Sequence, residues 1–195
     1  LDTIEVSADA SQTGLSKEFA GGQVASGSRI GILGNKSNLE ISFATTSYTN
    51  KFIQDKQARS VADVLKNDPN VRVARGFGNF QESYFMRGFI TNSDDILYNG
   101  LYGLLPRQYI ASEMFERVEV QRGSSAFLNG MAPGGGSIGG TIALMPKRAQ
   151  AEDLNRLNLG YSSNERANFT TAISRRLGEN REFGVRLNAA NTEGE

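Results

Sequence analysis

The chain has 195 residues and carries 21 basic and 21 acidic side chains, so that its formal net charge is zero. Because nucleic-acid-binding proteins normally carry a basic excess, this balance argues against a nucleic acid as a partner. The chain also lacks cysteine and histidine, which excludes disulfides and thiolate metal sites, removes the commonest general base and metal ligand, and leaves no credible catalytic constellation.

The first 38 residues form a polar segment rich in glycine, serine and alanine. Near its start, Ile4 and Val6 alternate with polar residues, as in an extended strand. No neighbouring hydrophobic segment is an obvious pairing partner for this strand. We therefore expect residues 1–38 to form an N-terminal arm that contains one strand able to pair with a strand of another protein.

Short strands and helices are predicted between residues 39 and 148. Residues 39–53 are rich in β-branched and aromatic residues, which favours a strand. Residues 56–67 have apolar side chains at helical spacing, and Pro69 ends this predicted helix. The pair Asn99-Gly100 predicts a tight hairpin turn. The remaining predictions are strands at 70–73, 84–89, 115–121 and 141–145 and a short helix at 124–129.

A run of glycines between residues 130 and 140 includes a match to G-x-G-x-x-G from Gly134 to Gly139. A dinucleotide-binding loop requires a strand before this motif and a helix after it, whereas here a loop precedes the run and a predicted strand follows it. We therefore expect these glycines to allow tight turns and close packing against another surface. Asp94 and Asp95 lack the spacing of a calcium-binding loop and are interpreted as a solvated turn.

The pattern changes after Arg148, where apolar side chains alternate with small or polar ones around residues 157–161, 167–173 and 183–189. Such alternation, in segments of about ten residues, is typical of transmembrane β-strands. It is equally compatible with half of a soluble β-sandwich, whose strands alternate in the same way. The pattern alone leaves both interpretations open.

The order of these segments resembles the plug domain of TonB-dependent siderophore receptors. The segment that resembles the TonB box of this family consists of Asp2, Thr3, Ile4, Glu5, Val6, Ser7 and Ala8. The other motifs that carry the resemblance are Ser60-Val61-Ala62-Asp63-Val64-Leu65, Asp68-Pro69-Asn70-Val71, Met86-Arg87-Gly88-Phe89, Phe115 to Gly123, Ser125 to Gly130, Pro133-Gly134-Gly135, and Met145-Pro146-Lys147-Arg148. One small departure is Met86, which stands where the family usually has isoleucine.

The resemblance implies an α+β plug domain, with a small mixed β-sheet and short helices, followed by the first antiparallel strands of a transmembrane β-barrel. The implied divisions are an N-terminal arm with the TonB box at 1–38, the plug domain at 39–148 and the start of the barrel at 149–195. The barrel of this family has 22 strands. Because three strands cannot close a barrel in lipid, we expect further strands beyond residue 195.

The resemblance also implies a receptor in the bacterial outer membrane, with the plug inside the barrel and the arm facing the periplasm. Such receptors bind an iron–siderophore complex from outside and import it with energy transduced by TonB. The periplasmic C-terminal domain of TonB would pair with the TonB box by β-augmentation. The protein would be no enzyme and would need no cofactor or metal site, because the siderophore already fills the coordination sphere of the iron.

Two groups of site residues follow from the resemblance. The siderophore would lie on apical loops at residues 75–82, 90–95 and 101–109. The candidate ligand-binding residues are Arg75, Phe77, Phe80, Tyr102, Leu104, Leu105, Arg107 and Gln108. The candidate lock between the plug and the barrel consists of Arg87, Glu116 and Arg122, of which the two arginines match plug residues that pair with barrel glutamates in relatives.

Two alternative functions remain open. The same fold could import another metal chelate, haem or cobalamin, although haem receptors often use a plug histidine and this chain has none. The chain could instead form a soluble β-rich binding module that transports nothing. Hundreds of further residues with alternating strands would distinguish the receptor from such a module.

Overall fold

The structure, a computed structural model, describes residues 14–19, 21–75, 78–163 and 165–194. The chain divides into two compact units after Lys147: Ser16–Lys147 form one unit, and Arg148–Glu195 belong to the other. No helix within the described ranges is long and apolar enough to cross a membrane.

The secondary-structure elements of the described residues are short. In chain order, the strands are β1 (Glu18–Phe19), β2 (Val24–Ala25), β3 (Gly27–Arg29), β4 (Asn35–Ser37), β5 (Thr45–Thr49), β6 (Val71–Arg75), β7 (Ser83–Met86), β8 (Phe89–Asn92), β9 (Leu97–Tyr98), β10 (Phe115–Arg122), β11 (Gly140–Pro146), β12 (Leu154–Ser162), β13 (Arg166–Leu177) and β14 (Phe183–Glu193). The α-helices are α1 (Asn50–Asp55), α2 (Val61–Leu65) and α3 (Ala126–Asn129), and single 3-10 turns lie at Gly31–Leu33, Ser93–Asp95 and Ser112–Met114.

A mixed β-sheet forms the centre of the first unit, with the strand order β1-β2-β5-β10-β11-β9. Strand β9 runs parallel to β11, whereas the other neighbouring strands are antiparallel. Strand β10 lies near the middle of this sheet, and its Val118 and Val120 are fully buried. They belong to one hydrophobic core with Phe52 of α1 and Leu65 of α2. This architecture confirms the predicted α+β plug.

The predicted strand at 39–53 is too long, because only Thr45–Thr49 are extended. The Thr49 side chain accepts a hydrogen bond from the Phe52 backbone N–H at 3.1 Å and thereby caps helix α1. Threonine favours a helix start because its hydroxyl satisfies an amide of the first turn that has no intrahelical partner. The predicted helix at 56–67 is likewise confined to Val61–Leu65.

The predicted hairpin turn at Asn99-Gly100 is confirmed. Its two residues have φ values of +51° and +90°, the left-handed conformation that the favoured two-residue turn requires at both positions. The flanking residues Tyr98 and Leu101 exchange backbone hydrogen bonds of 2.9 and 3.0 Å.

Residues 18–37 join the first unit, which corrects their assignment to an N-terminal arm. Strand β2 pairs with β5, and β3 pairs with β4 in a hairpin. The Arg29 backbone N–H donates to Glu119 Oε2 at 2.9 Å, and the neighbouring Ile30 is fully buried. The segment can be polar because it is attached largely through its backbone, a mode of attachment that hydrophobic patterning does not reveal.

The second unit contains the antiparallel sheet β12-β13-β14. Its register places Leu159 opposite Phe169 and Ile173 opposite Leu187, so that these apolar residues share one face. Within the described residues, their exposed fractions lie between 39% and 75%. A contiguous exposed apolar face marks a contact surface for a membrane or another protein. The unit therefore has the pattern predicted for the first strands of a transmembrane barrel.

Candidate functional site

The structure brings the three predicted ligand loops of the first unit together. These loops comprise residues 75–82, 90–95 and 101–109, of which 76 and 77 lie outside the described residues. The Ser93 backbone N–H donates to the Glu82 carbonyl oxygen at 3.3 Å, which joins the first two loops. The Ser93 hydroxyl donates to the Arg107 carbonyl oxygen at 2.6 Å, which joins the second and third.

The guanidinium of Arg107 lies at the exposed surface of this loop cluster. Its Nε lies 3.4 Å from Asp94 Oδ2, and the two side chains are 54% and 38% exposed. An ion pair so accessible to water contributes little to stability. It can, however, hold the guanidinium in place, where its planar set of donors suits carboxylate, hydroxamate or phenolate oxygens of a ligand.

The other predicted ligand-binding residues differ in exposure. Arg75 lies at the end of β6 and is exposed, as are Phe80, Leu104 and Gln108. Tyr102 is half-buried, and Leu105 packs against the hydrophobic core. Phe77 lies outside the described residues. The exposed members supply the loop cluster with two arginines and with apolar side chains, a combination that suits an anionic ligand with apolar or ring-bearing parts.

The last residue of the first loop, Glu82, has a buried side chain that the sequence analysis missed. Glu82 is only 1% exposed, and its Oε2 accepts a hydrogen bond of 2.7 Å from the Tyr84 hydroxyl. Burial raises the pKa of Glu82. Because Glu82 stands between polar neighbours in a predicted loop, no hydrophobic pattern indicates its burial. Glu82 links the first ligand loop to β7 and thereby to the core.

Asp95 is not part of a solvated turn, which corrects its interpretation from the sequence. It is 4% exposed, and its Oδ1 accepts a hydrogen bond of 2.6 Å from the Gly134 backbone N–H. The prediction that the glycine run allows close packing is confirmed, since a Cβ at Gly139 would overlap the Met86 carbonyl oxygen. Burial raises the pKa of the Tyr102 hydroxyl, and the charge of Asp95 adds to this rise.

Two of the three predicted lock residues lie close together. Arg87 Nη1 lies 3.0 Å from the position that a Cβ would occupy on Gly123, beside Arg122. Arg122 Nη2 forms an ion pair of 2.5 Å with Asp68, a partner within the same unit that the sequence analysis missed. Glu116 is half-buried on β10, six residues before Arg122, and at the rise of an extended strand is about 20 Å from it. The pairing of these residues with a barrel stays a prediction.

The predicted TonB box, residues 2–8, lies outside the described residues. Among the residues that the structure describes, no group of three or more histidine, cysteine, aspartate or glutamate side chains could hold a metal ion. The candidate site is therefore the loop cluster. Arg107 lies at its surface, and Glu82 and Asp95 are its buried acidic residues.

Comparison with known proteins identifies a matching family model and similar chains. The model of the family described as "TonB-dependent Receptor Plug Domain" matches residues 37–137. The ferrichrome receptor FcuA of Yersinia enterocolitica is 45% identical over 177 residues, which cover 91% of this chain and 23% of FcuA. The vitamin B12 transporter BtuB of Vibrio vulnificus is 30% identical over 140 residues, which cover 68% of this chain and 22% of BtuB.

A solved structure extends the similarity to both units. The crystal structure of BauA, the ferric preacinetobactin receptor of Acinetobacter baumannii, matches with a TM-score of 0.86 and 43% identity. The match covers 92% of this chain and 27% of BauA. The chain thus spans about a quarter of the length of these relatives.

Proposed function

The chain belongs to the TonB-dependent receptor plug domain family, and from this premise we propose that the protein is an outer-membrane receptor that binds an iron–siderophore complex and imports it. Transport rather than catalysis is its proposed activity. The exposed apolar face of β12-β13-β14 supports a location in a membrane, because β-strands that face lipid carry apolar side chains on one side. In this proposal the plug lies inside the barrel, and the N-terminal arm with the predicted TonB box at residues 2–8 faces the periplasm.

The observation that carries this proposal is the high identity, over nearly the whole chain, to receptors of two iron chelates. FcuA is a ferrichrome receptor at 45% identity, and BauA is a ferric preacinetobactin receptor at 43% identity. The loop cluster supports the same ligand class, because its three loops carry the exposed cation of Arg107 and the exposed apolar side chains of Phe80 and Leu104. A ferric siderophore presents anionic oxygens within a partly apolar shell, which matches this combination.

The proposed energy source is TonB, which would bind residues 2–8 as an added strand. The alternation of Ile4 and Val6 with polar residues suits β-augmentation, in which backbone hydrogen bonds provide the affinity. Arg87 and Arg122 would hold the plug to the barrel until TonB pulls. This role is supported by the position of Arg87, whose Nη1 lies 3.0 Å from the place that a Cβ would occupy on Gly123, the residue after Arg122, because guanidiniums bind carboxylates through two parallel hydrogen bonds.

Cobalamin is the second candidate ligand, since BtuB is 30% identical over 140 residues. A binding experiment with the full-length receptor in detergent micelles distinguishes the candidates. Ferrichrome, ferric preacinetobactin, a ferric catecholate and cobalamin would each be titrated and followed by calorimetry. The proposal predicts sub-micromolar binding of at least one ferric chelate and much weaker binding of cobalamin. Binding of cobalamin alone, or of none of the four, would contradict it.

A further inference from the structure

A short glycine-rich segment is fixed to the second ligand loop at two points. Residues 133–136, Pro133-Gly134-Gly135-Gly136, are named here the glycine strap. The Gly134 backbone N–H donates to Asp95 Oδ1 at 2.6 Å, and the Thr91 hydroxyl donates to the Gly136 carbonyl oxygen at 2.6 Å. Asp95 and Thr91 are 4% and 1% exposed, so that neither contact is open to exchange with water.

Two glycines of the strap, Gly134 and Gly136, are required for steric reasons. A Cβ on Gly134 would collide with Asp95 Oδ2, and a Cβ on Gly136 would lie 2.9 Å from the same oxygen. Only Gly135, with a φ of +77°, has the left-handed backbone that itself favours glycine. The close approach of the Asp95 carboxylate therefore accounts for glycine at positions 134 and 136.

The same turn holds the third ligand loop. Asp95 is the last residue of the 3-10 turn Ser93–Asp95. Within this turn, Ser93 donates to the Arg107 carbonyl oxygen at 2.6 Å, and Asp94 Oδ2 lies 3.4 Å from Arg107 Nε. A continuous set of contacts thus leads from the glycine strap through Asp95 and its turn to both the backbone and the guanidinium of Arg107.

We propose that the glycine strap and Asp95 position Arg107 for the ligand, and that Asp95 is a positioning residue which does not itself touch the ligand. This inference rests on the proposed function, because it assumes that the loop cluster binds a ferric chelate. A carboxylate is costly to bury unless hydrogen bonds compensate for its lost hydration. A hydrogen bond from a backbone amide to a carboxylate is short and directional, so the fixed strap backbone defines where the turn lies.

The test compares full-length receptors in detergent micelles, with ferrichrome and ferric preacinetobactin as probes. Asp95→Ala removes the acceptor of the strap, and Gly134→Ala forces the strap away from Asp95. Each variant should weaken binding about tenfold, the effect of losing one well-placed interaction. It should also raise hydrogen exchange of the 101–109 amides in the ligand-free receptor. Asp95→Asn should bind within about threefold of wild type, because its amide oxygen can still accept the Gly134 hydrogen bond.

A matched control separates positioning from general loss of stability. Glu119 is another buried acidic side chain that accepts a backbone N–H from a distant segment, that of Arg29, and its second described donor is the Ser47 hydroxyl, so that both donors lie outside the three loops. Glu119→Ala should lower stability as much as Asp95→Ala does and leave the affinity within about threefold of wild type. The double variant Asp95→Ala/Arg107→Ala should bind no more weakly than Arg107→Ala alone.

Three outcomes would overturn the inference. The first is unchanged exchange of residues 101–109 in both Asp95→Ala and Gly134→Ala. The second is additive loss of affinity in the double variant, which would mean that Asp95 acts independently of Arg107. The third is equal loss of affinity in Glu119→Ala, which would make the effect one of stability. A different result would be that wild type binds neither probe while hydrogen exchange of residues 101–109 still increases in Asp95→Ala. That result would show that the ligand in the proposed function is wrong, and that the glycine strap nevertheless orders the third ligand loop.

Discussion

The ion pair between Arg122 and Asp68 connects the end of β10 to the segment after α2. The Asp68 side chain is fully buried and also accepts a hydrogen bond of 3.2 Å from the Tyr48 hydroxyl. Burial and the neighbouring Asp68 raise the pKa of Tyr48, so that its hydroxyl stays a donor at neutral pH. The pair therefore forms part of a buried network in which each member depends on the others.

Loss of Arg122 alone should destabilise the plug strongly. Arg122→Ala leaves the Asp68 carboxylate buried without its cation, which typically costs about 3–5 kcal/mol. Asp68→Asn/Arg122→Gln should recover much of this loss, because it leaves no buried charge. Hydrogen exchange of the β5 and β10 amides in the full-length receptor measures the stability of the single and the double variant. Equal protection in Arg122→Ala and wild type would show that the pair contributes nothing.

The free energy of unfolding of the plug should decrease as the pH rises, because Glu119 is buried. Burial raises the pKa of Glu119 from 4.5 to about 7, against the opposing effects of its hydrogen bonds from Arg29 and Ser47 and of the nearby Arg117 charge. Between these two pH values the folded chain keeps a proton that the unfolded chain has lost, so stability falls as the pH increases and levels off above about 7. This rise in the pKa of Glu119 corresponds to a loss of roughly 3 kcal/mol at most in the free energy of unfolding.

The variant Glu119→Gln isolates this contribution, because it keeps the shape of the side chain and cannot ionise. Amide protection of β5 and β10, corrected for intrinsic exchange, should decline between pH 5 and pH 8 in wild type and decline less in the variant. The same decline in both proteins would mean that Glu119 does not titrate in this range.

Among the elements, the alternating strands and the short helix α3 were predicted closely, whereas helix α2 was predicted too long and helix α1 was missed. Strands β10 and β11 were predicted within two residues because their apolar residues recur with period two. Helix α1 was missed because one hydroxyl, that of Thr49, ends a strand and begins a helix within a run of β-branched residues. The same limit applies to the site: the burial of Glu82 and Asp95 depends on partners from distant segments, and local sequence carries no sign of it.

The exposed apolar face of β12-β13-β14 leads to a prediction about membrane assembly. Leu159 lies on that face, whereas the preceding Asn158 points to the opposite side of the same strand. Leu159→Arg should destabilise the assembled receptor by about 2–4 kcal/mol if Leu159 faces lipid near the bilayer centre. Asn158→Arg is the matched control and should be tolerated in a polar interior. Folding yields into lipid vesicles would be compared, and equal yields of the two variants would argue against a lipid contact at Leu159.

In the whole molecule, the proposed ligand site is the loop cluster and the proposed energy input is at residues 2–8. The two sites lie far apart in the sequence, and the contacts described for the binding loops, such as the hydrogen bond from Ser93 to Arg107, are made between the loops themselves. Binding and import should therefore be separable by a change at residue 4. Proline at this position removes a backbone donor and fixes φ, so it should break an added strand.

The most direct test of TonB-driven import compares uptake and binding in cells that carry the full-length variant Ile4→Pro. Energy-dependent uptake of radioactive iron would be measured together with binding of the same ferric siderophore. Ile4→Val is the matched control, since it keeps the backbone donor and a β-branched side chain. At equal surface expression, Ile4→Pro should bind as wild type does and fail to import, because each lost ladder hydrogen bond costs about 0.5–1.5 kcal/mol and pairing beyond the proline also fails. Ile4→Val should import normally. Normal uptake by Ile4→Pro would contradict the account.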